Sequence, residues 1–179
     1  MIPIGYLYKR VVLRPDWLAA EKVCDIYSAS GCISHNFADY IKFWKHNGYW
    51  LFDSPGILAQ LASEQNLDLG GQTLFYYEAY EYEFDDKSSS WVKFEPVPGF
   101  QTEIVMPTEK HLHGFDVSTF SCGNKPECSP LSCNYLAKKL AVNSHCLFDT
   151  FEDAKDALVR GEFQDSEPGP YRILAVYTL

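Results

Sequence analysis

Cationic side chains are in short supply. The chain carries 15 Lys and Arg against 24 Asp and Glu, a formal net charge of −9. Binding to a phosphate backbone needs Lys and Arg to displace counterions, so no nucleic-acid partner is expected. The same shortage argues against an anionic membrane surface. Long apolar runs are missing too, and none approaches the roughly 20 residues that span a bilayer, so no membrane partner is expected. The start, Met1-Ile2-Pro3-Ile4-Gly5-Tyr6, lacks the basic segment, apolar run and cleavage site of a signal peptide. The expectation is a cytoplasmic chain with reduced thiols. The phosphate-cradling patterns G-x-G-x-x-G and G-x-x-x-x-G-K-[ST] are absent, and no cofactor is expected. Neither an internal repeat, a low-complexity tract nor a long linker is visible. Residues 1–179 therefore read as a single globular domain.

Close cysteine pairs are lacking where a metal would need them. Four of the six cysteines fall within 116–146, yet Cys122, Cys128 and Cys133 are separated by five and then four residues. Zinc knuckles usually place two cysteines two to four residues apart, twice over. Cys133 also completes an i, i+3, i+4, i+7 stripe with Leu136, Ala137 and Leu140, which assigns it to a core. No metal site is expected, and no disulfide among Cys122, Cys128, Cys133 and Cys146.

Aromatic residues are abundant, at 16% of the chain. They shape much of the element pattern. Residues 4–13 read as a strand, 15–22 as a short helix and 24–33 as a strand and turn. Phe37, Tyr40, Ile41 and Trp44 share one face of a helix over 36–47, stopped by Asn47-Gly48. Asp53 or Ser54, with Pro55, opens a second helix, carrying Ile57, Leu58, Leu61 and Ala62. Strict alternation over 73–85 predicts a long strand. It turns at 86–90 and returns with Phe84 opposite Val92, Glu83 opposite Lys93 and Tyr82 opposite Phe94. Residues 101–106 and 115–121 read as strands, 130–141 as a helix, and Thr150 with Asp153 as the cap of another. The run Ile173-Leu174-Ala175-Val176 is apolar on both faces, the mark of a central strand. The fold class is α+β: a mainly antiparallel mixed sheet of about five to six strands with four or so helices packed on it.

Three constellations carry chemistry. Cys122 ends a strand before Gly123, and Cys128 precedes the cap of the helix starting at Pro130. Thiols near a helix start have their thiolates stabilised. A small thiol-dependent enzyme using Cys122 or Cys128 is therefore one reading, with His35, His111, His113 or His145 as base; buried, unreactive cysteines are the competing explanation. Glu78 is the odd residue on an aromatic face, and burial there would raise its pKa unless a cation pairs with it. Tyr49, Trp50, Tyr76, Tyr77 and Trp91 lie beside acids, a composition that suits a contact surface. The leading expectation is a non-enzymatic protein-binding module of inhibitor or immunity type. It would recognise a basic protein partner through an acidic, aromatic-rich surface.

Overall fold

The apolar run near the C-terminus lies at the centre of the sheet. In the computed structural model, which describes residues 1–32, 47–97, 103–121 and 128–179, strand β8 (Tyr171–Thr178) is hydrogen-bonded along both edges. Strands β4 (Thr73–Ala79) and β5 (Tyr82–Asp85) pair with it on one side, and β7 (His111–Thr119) on the other, all antiparallel. Strand β1 (Ile2–Lys9) adds to β4 and β6 (Ser90–Lys93) to β5, completing a six-stranded sheet. A two-stranded ribbon pairs β2 (Val12–Leu13) with β3 (Asp25–Ile26). Four helices accompany them among the described residues: α1 (Pro55–Glu64), α2 (Pro130–Cys133), α3 (Leu136–Lys139) and α4 (Phe151–Val159).

Two apolar clusters form the core. Tyr171 and Ile173 join Val117, Leu131, Leu136 and the α4 residues Ala154, Ala157 and Leu158. Leu174 and Val176 join Ile4, Tyr6, Phe75, Tyr76, Tyr77 and the α1 residues Leu58 and Ala62. Each of these side chains is removed from water, and hydrophobic transfer of both sets holds the layers together.

The structure contains an internal repeat that the sequence does not advertise. Asn47-Gly-Tyr-Trp-Leu-Phe-Asp-Ser54 and Asn143-Ser-His-Cys-Leu-Phe-Asp-Thr150 fold alike. The Asn47 amide donates to Ile4 O at 2.8 Å, and the Asn143 amide donates to His113 O at 2.8 Å. The Asn47 side-chain oxygen accepts from the Tyr49 and Leu51 N–H groups, and that of Asn143 from His145 and Leu147. Trp50 (φ 59°) and Cys146 (φ 62°) both take the left-handed conformation. Phe52 exchanges backbone hydrogen bonds with Tyr6, and Phe148 with Phe115. Ser54 and Thr150 then cap α1 and α4 through the N–H groups of Ile57 and Asp153.

Each turn sits on a strand glycine. A Cβ at Gly5 (φ +120°) would meet Phe52 O at 2.5 Å, and one at Gly114 (φ +141°) would meet Phe148 O at 2.5 Å. Across the sheet the register lines up Gly5, Tyr77, Val176 and Gly114. The chain thus builds one β–turn–α–β unit twice, and β4 and β8 join the two units about an approximate two-fold axis.

Other expectations shift at particular residues. The strand over 73–85 breaks at Tyr80-Glu81, although both pieces border β8. The hairpin pairs Phe84 with Trp91, Glu83 with Val92 and Tyr82 with Lys93, one residue from the expected register. β6 is a largely exposed edge strand, so no buried face selects its alternation. The helix expected over 130–141 is two short ones, because Asn134 is extended (φ −137°, ψ −158°). Cys133 is therefore not on the stripe of Leu136 and Ala137. Residues 15–22 form turns, and 103–106 form no strand. The helix expected over 36–47 falls almost wholly outside the described residues, as do Trp44, His35 and Cys122.

Candidate functional site

The end of β7 and the start of α2 meet the loop after β3 around a buried carboxylate. Asp116 is fully buried and accepts from the Ala29 N–H at 2.8 Å and the Ser129 hydroxyl at 2.5 Å, with Ser118 at 3.2 Å. Burial raises its pKa, against the opposing pull of these donors and of Lys9. The buried Lys9 ammonium donates to the carbonyls of Ser28 and Ser30, and Ser132 Oγ donates to Ser28 Oγ at 3.0 Å. One polar network therefore fixes residues 28–30 against 129–132.

That network brings three thiols together. The sulfurs of Cys32, Cys128 and Cys133 all lie within 4.8 Å of one another. Cys32 is exposed, Cys128 buried and Cys133 half-buried, with Ser30 Oγ 3.4 Å from the Cys133 sulfur. Hydrogen bonds from Cys128 and Cys133 lower the Cys32 thiol to about 3, against the effect of its burial. Cys128 is raised by hydrogen bonding to Cys133 and Cys32 and by burial. Cys133 is lowered by Cys128, but Cys32 and burial outweigh that and leave it raised. Three sulfurs this close can share a soft metal ion or exchange protons among themselves. Cys146 stays apart, directed at Leu131 O at 3.5 Å, and burial raises its thiol.

A cysteine–histidine pair does not form there among the described residues. His145 Nδ1 is 2.6 Å from Asp25 Oδ1, and its ring stacks on Tyr27 at 4.1 Å. The His113 ring lies 5.0 Å from His145 and 4.8 Å from His111, and its Nε2 is 2.8 Å from Thr178 Oγ1. Burial, then His145 and His111, lower the His113 pKa. No described histidine hydrogen-bonds Cys128 or Cys133, and the candidate base His35 lies outside the described residues.

Glu78 lies at the middle of the sheet between tyrosines. Its carboxylate pairs with Lys110 and accepts from Tyr177 OH at 2.9 Å and Tyr76 OH at 3.3 Å. The Lys110 ammonium also sits over the Tyr177 ring at 4.3 Å. Burial pushes the Glu78 pKa up, but hydrogen bonds from Lys110, Tyr177 and Tyr76 outweigh it and leave it lowered. A carboxylate held ionised in this way is a poor general acid.

The aromatic residues expected at a contact surface are mostly core. Tyr49, Tyr76 and Tyr77 are buried, while Trp50 and Trp91 are half-buried. Trp91 packs on Phe84 and Tyr80. The three buried tyrosines fill the space around the inner strands, which the alternation of 73–85 alone does not reveal.

A cleft opens elsewhere, between the β5–β6 turn and the C-terminal end of α4. It encloses about 170 Å³ and is lined by Phe84, Asp86, Leu158, Arg160, Phe163 and Tyr171, among others. Asp86 Oδ2 accepts from the Gly169 N–H at 3.1 Å, whereas its buried Oδ1 has no hydrogen-bond partner. Residues 149–167 beside it carry seven carboxylates against two cations, a net −5. Among the described residues, the one ion pair in this stretch joins Arg160 to Glu162 at 3.5 Å. Asp86 looks like an ordinary turn residue in the sequence, and Cys32 stands 96 positions from Cys128, so neither carries a local signal.

Comparison with protein-family models, with curated proteins and with solved structures finds no match to this chain. No helix among the described residues is long and apolar enough to cross a membrane.

Proposed function

We propose that this is a non-enzymatic binding protein that receives a basic partner on the acidic side built by α4 and the turn after it. An inhibitor or immunity-type role suits such a surface. The observation that carries the reading is Asp86. Asp86 lines the cleft and offers a charged acceptor there. The cleft beside it has apolar walls for an aliphatic stem and Asp86 for a terminal ammonium or guanidinium. Before and along α4, Asp149, Glu152, Asp153 and Asp156 are exposed and supply long-range attraction. The recognition surface is thus acidic, with the aromatic rings of Phe84 and Tyr171 inside the cleft rather than spread over a face.

Calorimetric titration of the full chain with a lysine- and arginine-rich peptide tests this. Binding should weaken about tenfold or more between low and high salt, as exposed charge is screened. Asp86→Asn should weaken it further at both salts. No binding at low salt, affinity indifferent to salt, or an Asp86→Asn variant equal to wild type would reject the proposal.

A further inference from the structure

We infer that Cys32, Cys128 and Cys133 form a binding site for a single zinc ion, to which they supply three protein thiolates. The site lies beside Asp116 and makes no use of the acidic cleft, so it stands or falls independently of the proposed partner.

Three arguments meet here. The first is distance. Zn–S bonds of about 2.3 Å in a tetrahedral site place sulfurs roughly 3.8 Å apart. The three sulfurs already lie within 4.8 Å of one another, so binding needs only a small inward movement.

The second is preorganisation. Cys32 comes from the loop after β3. Cys128 forms a backbone bridge with Thr119 at the end of β7, and Cys133 closes α2. Segments so far apart in sequence are held together by Asp116, which binds the Ala29 N–H and the Ser129 hydroxyl, and by Ser132 on Ser28. Such outer contacts orient metal ligands and are costly to lose. A polar network this elaborate is more than three packing cysteines would require.

The third is residue chemistry. A set of three sulfur ligands favours zinc and similarly soft ions over magnesium or calcium. Cys32 is exposed, which gives the ion an entry path. The sequence argument against zinc rested on local spacing and on Cys133 belonging to a helical stripe. The break at Asn134 removes the second point. Cys32, supplied from a distant loop, removes the first.

The test uses the full chain, reduced and stripped of metal, titrated with Zn²⁺ against a chromophoric chelator. One equivalent should bind, and the protein should melt at a higher temperature with zinc than without it. Cobalt in place of zinc should give the intense near-ultraviolet sulfur-to-metal absorption of thiolate ligation. Cys32→Ser is the deciding variant, because Cys32 is exposed and outside the core. With an unchanged circular dichroism spectrum it should lose about tenfold or more in zinc affinity and about a third of the cobalt–thiolate absorption. Cys24→Ser, at another exposed cysteine, should match wild type on both measures. Less than a tenth of an equivalent of zinc, a cobalt spectrum without the sulfur band, or a Cys32→Ser variant equal to wild type would each overturn the inference.

Discussion

At Glu78 the competition between burial and pairing has a definite winner. Desolvation is the largest single influence on this carboxyl and acts to raise its pKa, yet Lys110 and two tyrosine hydroxyls together bring it below the usual 4.5. The sign of the linkage follows. A carboxyl with a lowered folded pKa contributes stability above its unfolded value, and that contribution is lost as pH falls through the folded pKa. Glu78 therefore contributes at neutral pH and stops contributing in acid. Lys110→Met should reverse the balance, leaving burial to dominate. A carbon-detected NMR titration of the Glu78 carboxyl should show a pKa below the usual carboxylate value in the wild type and above it in the variant. A value that does not move would show that the tyrosines alone hold the charge. The alternation of 73–85 exposes Glu78 as an odd residue, but Lys110 lies 32 positions away and nothing local links the two.

Elements take their shape from a recurring close contact between a glycine strand and a turn. Phe52 and Phe148 bring their carbonyls so near Gly5 and Gly114 that a methyl group at either glycine has no room, and both glycines have positive φ. Gly5→Ala and Gly114→Ala should each cost about 2–4 kcal/mol in chemical denaturation. Gly71 offers the control. It too has positive φ (+73°), but nothing lies within 4 Å of its missing Cβ, so Gly71→Ala should cost only about 1 kcal/mol. Equal costs at all three would mean that backbone conformation alone matters and that the turns do not lock onto the strands. Helix starts were legible from sequence for a local reason. Ser54-Pro55 and Thr150 act on N–H groups three residues on. The break at Asn134 was not, since the 3.6-residue apolar period of 130–141 continues through it.

On the scale of the whole molecule, the two β–turn–α–β units depend on each other through β4 and β8. Phe75, Tyr77 and Ala79 of β4 pair with Thr178, Val176 and Leu174 of β8, and Tyr171 at the start of β8 also pairs with Phe84 of β5. Separated units would expose those edges and the apolar side chains on them. Fragments 1–107 and 108–179, produced separately, should each lack a cooperative thermal transition and regain one when refolded together. Cooperative melting of either fragment alone would show that the units are independent domains. The acidic stretch 149–167 and the thiol cluster both belong to this assembled state. The cleft needs β5, α4 and β8 together, and the cluster needs the loop before residue 33.

Composition and local pattern determined by themselves that this is an acidic α+β chain with a central C-terminal strand, capped helices and a hairpin after 73–85. Those features rest on short-range causes: side-chain period, cap chemistry and turn residues. Tertiary structure alone decided which rings are buried, which partner Glu78 takes and which cysteines meet. It also revealed the repeat. The two copies share the Asn and Leu-Phe-Asp positions and the strand glycine, but 41 residues separate Gly5 from Asn47 and only 28 separate Gly114 from Asn143. Loop length costs little free energy, so the two units tolerate different spacings while the hydrogen bonds of Asn47 and Asn143 have the same shape.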